Sequence, residues 1–173
     1  MKLHLITFLT VFVVSCAPVR VNYDYDTQVN FNAYKTYQYY ADIDTGLSEL
    51  DTKRLLDAID AQMASKGFSI SENPDFFIDI KSTEFYKPQQ SAVGVGLGGG
   101  GRNMGGGISI GIPVGQSNAN RQLTIDFVDE NKKQLLWQAV SEFSFTPSAT
   151  PETKETLFNT VTEKILSEYP PNQ

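Results

Sequence analysis

Cysteine and histidine are the side chains from which small proteins most readily build nucleophiles, general bases and zinc sites, and this sequence holds one of each, Cys16 and His4. A lone thiol makes no internal disulfide, and a lone imidazole makes no His-rich metal centre. The other groups with chemical potential are carboxylates, tyrosines and glycines. Asp24 and Asp26 stand two apart, as do Asp42 and Asp44. On a strand this spacing puts both carboxylates on one face, which suits cation binding or acid–base work. Calcium needs about six to eight oxygens around a sharp loop, and no EF-hand spacing follows either pair. Solvated strand and turn residues are the simpler reading, so no metal and no cofactor is expected. Six of the eight tyrosines fall between Tyr23 and Tyr40. Aromatics are ordinary strand formers, and such a cluster would also serve as a stacking platform for a glycan or peptide.

Two enzyme motifs occur as strings in the glycine-rich stretch and fail on context. Gly94-Val95-Gly96-Leu97-Gly98-Gly99 fits G-x-G-x-x-G, yet more glycine follows where a helix N-terminus should receive a pyrophosphate, and no GK[ST] appears. Gly107-Ile108-Ser109-Ile110-Gly111 fits the nucleophile elbow, which requires a strand-to-helix turn and a histidine to take the serine proton.

Both scarce residues lie in the first sixteen positions. Lys2 gives a positive start, and Leu5 to Val14 is a ten-residue apolar stretch broken only by Thr7 and Thr10. A membrane-spanning helix needs about 20 residues, so this length fits the apolar region of a secretory signal. Val13-Val14-Ser15-Cys16 resembles a bacterial lipobox, in which a small residue precedes the cysteine that is lipidated and becomes the first residue of the mature chain. One acyl chain anchors a protein only marginally, whereas the two or three chains, such as palmitate, of a mature lipoprotein hold it stably. By analogy with enteric bacteria, Ala17 rather than Asp after the cysteine favours the outer membrane, and the expected location there is the periplasmic face rather than the surface. The expected organisation is therefore a signal peptide over 1–15, a lipidated N-terminus and tether over 16–21, and a domain over 22–171 with a glycine-rich insertion at 91–117. Removing residues 1–15 leaves 158 residues with 13 basic and 20 acidic groups, a net charge of −7 and no histidine. That balance opposes nucleic-acid binding, which needs clustered Lys and Arg against phosphate.

The mature chain has enough apolar residues, 40% of the total, to bury a core. Val19, Val21, Tyr23 and Tyr25 alternate with polar residues as in a half-buried strand, and Lys35 to Tyr40 fits a second. Ser48, followed by Glu49 and Asp51, caps a helix whose buried stripe is Leu55, Ile59 and Met63, with Lys66-Gly67 as its stop. Phe76, Ile78 and Ile80 share a strand face opposite Asp79 and Lys81. Strands at 122–128 and 134–145 are joined by the polar turn from Asp129 to Lys133, with Leu123, Ile125, Phe127, Trp137, Ala139, Phe143 and Phe145 inward. Thr150-Pro151-Glu152 starts a last helix with the stripe Leu157, Val161 and Ile165, ended by Pro170-Pro171. The expected fold class is α+β, an antiparallel or mixed β-sheet with two helices packed on one face, plus a glycine-rich hairpin insertion. Eleven of the 13 glycines fall between Gly94 and Gly115. There Val93, Val95 and Leu97, then Ile108, Ile110, Ile112 and Val114, alternate with small residues, so the ribbon would present one aliphatic face, either structural or a partner surface.

The sequence also resembles a family of bacterial lipoproteins known as a domain of unknown function, number four-one-three-six. The residues that carry this are Asp24-Tyr25-Asp26, Phe31 to Tyr37, Lys66-Gly67-Phe68, Pro74 to Ile78, Leu123 to Asp129 with Trp137 beyond the turn, and Ile165 to Pro171. The resemblance covers most of residues 22–171, is interrupted at the glycine block, implies an α+β envelope lipoprotein, and supplies no catalytic residues. The function expected is a lipid-anchored envelope lipoprotein, non-enzymatic, binding a partner protein or scaffolding at the outer membrane. The alternative is a carboxylate-based enzyme or glycan-binding module using the Asp and Tyr cluster near the N-terminus.

Overall fold

Apolar side chains recur at every second position through residues 76–80, 123–127 and, but for Ser141, 137–145, and these stretches lie in the three long strands of one sheet. The computed structural model describes residues 19–85 and 119–171. The strands are β1 (Arg20–Tyr25), β2 (Thr36–Tyr39), β3 (Ser69–Ile70), β4 (Phe76–Phe85), β5 (Ala119–Asp129) and β6 (Gln134–Phe145). They form a six-stranded sheet in the order β1-β6-β5-β4-β2-β3. The pairs β1–β6, β6–β5 and β5–β4 are antiparallel, and β2 runs parallel to both β4 and β3, so the sheet is mixed. With α1 (Glu49–Ser65) and α2 (Pro151–Leu166) on one face, the fold is α+β.

Phe76, Ile78 and Ile80 of β4, Leu123, Ile125 and Phe127 of β5, and Trp137, Ala139, Phe143 and Phe145 of β6 are all buried, as their alternation predicts. The helices cover this face. Tyr37 of β2 donates to Asp60 of α1, and Phe145 of β6 lies 6.2 Å from Phe158 of α2. Each of these large side chains contributes about 1.5–3 kcal/mol on full burial. The intervening residues, among them Asp79, Asp126 and Gln138, lie on the opposite, open face.

The helix ends follow their local chemistry. Ser48 accepts the Asp51 backbone N–H and donates its own hydroxyl to the Asp51 carboxylate. At the other end Phe68 N–H bonds to Met63 O and Gly67 N–H to Ala64 O, a Schellman closure with Gly67 at φ +85°. Thr150 caps α2 ahead of Pro151. Its buried stripe is rotated from the expected one: Phe158, Val161, Thr162, Ile165 and Leu166 are buried, while Leu157 is half-buried. Packing against both the sheet and α1 recruits a wider arc of the helix than one line of i, i+4 residues. The two-residue β3 was also not expected, because a strand that short has no alternation to read. Tyr25, expected inward, is 39% exposed, since β1 is an edge strand that the helices reach incompletely. The glycine-rich insertion lies outside the described residues.

Candidate functional site

Tyr169 stands three residues beyond α2, where a chain leaving a helix ordinarily meets solvent, yet it is 1% exposed. Its ring lies 4.6 Å from Phe127, 5.3 Å from Trp137, 5.4 Å from Phe68 and 6.0 Å from Phe31, centroid to centroid, with edge-on geometry to Phe127, Trp137 and Phe31. Burial pushes its hydroxyl pKa well up, so it stays protonated at neutral pH. The peptide bond to Pro170 is cis. Tyr169 thus anchors the C-terminal segment in the core and fixes where the residues around it emerge.

They emerge around a cavity of about 760 Å³, within the range of roughly 300–1,000 Å³ typical of ligand sites. β1 supplies Tyr23 and Tyr25, β6 supplies Trp137, the segment after α2 supplies Ser167, Glu168, Tyr169, Pro170 and Pro171, and Lys66 closes the rim from the end of α1. Tyr23 donates its hydroxyl to Lys164 O at 2.7 Å, which ties the edge strand to the end of α2. Trp137 Nε1 and the Tyr169 hydroxyl are buried without a hydrogen-bond partner in the protein. A buried polar group left unpaired costs about 1–3 kcal/mol, and a bound water or ligand atom is the usual remedy. Ring faces, prolines and one charge of each sign at the rim are groups that stack on and hydrogen-bond a ligand.

Elsewhere carboxylates and tyrosines are paired with one another. Tyr34 donates to Asp129 Oδ2 at 2.8 Å, and Lys132 Nζ donates to the Tyr34 oxygen at 2.8 Å and lies 3.1 Å from Asp129 Oδ2. Burial would raise the Asp129 pKa, but bonds from the Lys132 N–H, the Tyr34 hydroxyl and the Lys132 ammonium outweigh it and hold the group below the usual range. Tyr37 and Tyr39 both donate to Asp60 Oδ1, at 2.8 and 2.6 Å. Asp51 holds Arg54 at 2.8 Å and Lys154 of α2 at 3.0 Å, fastening the two helices. Asp75 accepts the N–H groups of Lys35 and Thr36 and the Thr36 hydroxyl, fixing the start of β2.

The tyrosine platform suggested by residues 23–40 is not formed. Tyr34 and Tyr37 are core residues, Tyr39 bonds inward to Asp60, and Tyr40 stacks on Phe77 of the open face with its hydroxyl on Glu130. Only Tyr23 and Tyr25 reach the cavity, because alternation and strand order split the cluster. Asp24 is exposed, and Asp26 receives Gln28 N–H and Gln134 Nε2. The two flank a pocket of about 290 Å³ that also involves Tyr25, Leu135 and Leu136. Asp42 and Asp44 sit with Asp79 and Lys81 at another, of about 320 Å³, where Asp44 accepts the Gly46 N–H. Among the described residues no group of three or more His, Cys, Asp or Glu is placed to hold a metal ion. Among them, too, no helix is long and apolar enough to cross a membrane, which leaves strand-built membrane proteins aside. Cys16 and the ribbon residues Val93, Val95, Leu97, Ile108, Ile110, Ile112 and Val114 lie outside the described residues. Motif reasoning missed the cavity: it places Trp137 inward on its strand and Pro170-Pro171 at the end of the last helix, and only the family resemblance singles out Tyr169.

Similar solved structures share the fold. A PDZ domain protein from Parabacteroides distasonis ATCC 8503 is 16% identical at a TM-score of 0.56, over 91% of this chain. This chain spans 36% of that protein's length. Two PelC dodecamer structures from Paraburkholderia phytofirmans, one of them a single-residue variant, are each 11% identical at a TM-score of 0.53, over 90% of this chain and 100% of theirs. No curated protein matches the sequence. The model of one family matches residues 21–171, and the chain belongs to that family, the domain of unknown function DUF4136.

Proposed function

We propose that the protein is a lipid-anchored bacterial envelope protein, held through acyl chains on Cys16 at the periplasmic face of the outer membrane. Its domain binds a partner or scaffolds an assembly rather than catalysing a reaction. The observation that carries the binding role is the aromatic cavity between β1 and the C-terminal segment, with Trp137 and Tyr169 buried beside it and carrying polar atoms that have no protein partner. The carboxylates best placed for chemistry support the same reading, since Asp51, Asp60, Asp75 and Asp129 are occupied by the hydrogen bonds that join strands, turns and helices. The leader supports the anchor: a positive start, an apolar stretch too short to span a bilayer, and Ser15 before Cys16. The dodecameric state belongs to the PelC proteins, and it supports scaffolding as one form such a role takes on this fold.

One experiment tests both parts. A photo-crosslinking residue is placed in cells at Glu168, on the cavity rim, and at the exposed Leu50 of α1 as a control, in the native chain and in Cys16→Ala. A discrete adduct from position 168 and not from 50, with membrane fractionation lost in Cys16→Ala, is the expected result. Equal labelling at the two positions would sink the binding role, and continued membrane fractionation of Cys16→Ala would sink the anchor.

A further inference from the structure

We infer that two copies of this chain associate through β1, pairing antiparallel about a two-fold axis that passes beside Asn22. β1 ends the sheet order, with β6 as its only strand neighbour among the described residues. Its outer row of N–H and C=O groups is therefore a template for another strand. Edge strands are commonly blunted by proline, by a bulge or by extreme shortness. Arg20–Tyr25 has six residues, no proline, and an unbroken register with β6. Its charged residues, Arg20 and Asp24, are opposite in sign and both exposed.

The sequence of β1 is complementary to itself in one register. With Asn22 opposite the partner's Asn22, Arg20 falls opposite the partner's Asp24, and symmetry gives this ion pair twice. These pairs lie on the open face of the sheet. On the helix-covered face Val21 falls opposite the partner's Tyr23, and Val19 opposite the partner's Tyr25. The half-buried Val19 and Val21 and the 39% exposed Tyr25 would thus gain cross-strand cover. A slip of one residue sets side chains of opposite phase against each other, Val21 against the partner's Asp24. A slip of two keeps the phase but loses the match. One direction leaves Arg20 opposite the partner's Asn22. The other sets it against the partner's Asp26, beyond the strand and in each copy already bonded to Gln28 and Gln134. A contact in which each residue meets its counterpart's neighbour on the same patch is isologous, and it closes as a dimer. The inference is independent of the anchor, and the contact shares Tyr23 and Tyr25 with the rim of the cavity.

Cysteine scanning of the full chain in detergent reads the register directly. In Asn22→Cys the two introduced thiols stand opposite each other, about 4.5–5.5 Å apart between Cα atoms. In Asp24→Cys they are displaced by four residues, about 14 Å along the strand, out of reach of a disulfide. Mild oxidation is expected to give covalent dimers from Asn22→Cys and no more than the unaltered chain from Asp24→Cys, Cys16 being common to all three. Arg20→Asp and Asp24→Arg should each weaken association in sedimentation by roughly tenfold or more, and the double variant should restore it. Both side chains are exposed, so the variants are expected to fold, which far-UV circular dichroism checks. Equal cross-linking at 22 and 24, failure of the double variant to restore association, or a monomer at concentrations on the order of 100 µM would each overturn the inference.

Discussion

Replacing Tyr34 by Phe isolates one hydroxyl that joins two regions 95 residues apart in the chain. Tyr34 is 6% exposed and Asp129 4%, and their oxygens are 2.8 Å apart. A hydrogen bond to a charged group contributes about 1.5–3 kcal/mol net. Asp129 keeps its bonds from the Lys132 N–H and ammonium in the variant, which places the cost near the lower half of that range, about 2 kcal/mol at pH 7. For a domain of this size that lowers Tm by about 4–8 °C. Lys132→Met removes a partner whose side chain is 62% exposed, so its cost should stay below about 1 kcal/mol. The cost of Tyr34→Phe should also depend on pH. The folded Asp129 pKa is depressed, so its stabilisation is present above the unfolded value of about 3.9 and is lost as pH falls through the folded value. The Tyr34 bond contributes to that depression, so the cost of removing it should shrink as pH falls below the unfolded value and through the folded one, where the charged acceptor becomes a neutral one. The assay is urea unfolding followed by the fluorescence of Trp137, the single tryptophan and fully buried. A cost under about 0.5 kcal/mol at pH 7, or one that does not shrink in acid, would refute the reasoning.

Two further predictions concern the fold. Stability should be nearly flat from about pH 5 to pH 9, since the described residues contain no histidine, and should fall at both ends. Below about pH 4 the loss comes from Asp51, Asp75 and Asp129, whose folded pKa values are lowered by their partners. Above about pH 10 it comes from Tyr34, Tyr37, Tyr39 and Tyr169, whose values are raised, chiefly by burial. A midpoint of urea unfolding that drifts steadily between pH 5 and pH 9 would contradict this. Gly46 and Gly67 both have positive φ, yet a Cβ at Gly46 would meet Ser82 O at 2.5 Å, whereas one at Gly67 meets nothing within 4 Å. Gly67→Ala should therefore cost about 1 kcal/mol and Gly46→Ala about 2–4 kcal/mol, and equal melting temperatures for the two would show the Ser82 contact to be unimportant.

Most of the fold was legible because its determinants are local. The period-two burial of Phe76, Ile78 and Ile80, the Ser48 and Thr150 caps and the Lys66-Gly67 stop depend on neighbours a few residues away, and each appears where the sequence places it. The candidate site was legible only in fragments. Tyr23, Trp137 and Tyr169 are far apart in the chain, and nothing in their spacing says that they share a cavity. The six N-terminal tyrosines show the opposite failure: they are close in sequence and are sent to different surfaces by alternation and strand order.

The sequence by itself determined the α+β class, the phase of each long strand and the caps of both helices, and its one cysteine and one histidine leave no internal disulfide and no multi-histidine site. The proposed pairing of two copies through β1 draws on the sequence as well, since Arg20 and Asp24, opposite in charge, stand two residues either side of Asn22. Only the tertiary structure decided that β1 is an edge, that Tyr169 is drawn into the core beyond the end of its helix, and that α2 is rotated to bury Phe158 and Leu166 rather than Leu157. These outcomes depend on burying apolar surface between segments that are not neighbours in the chain, such as Tyr169 against Phe31, Phe68 and Phe127. That energy exists only once the sheet is assembled, so no local pattern records it.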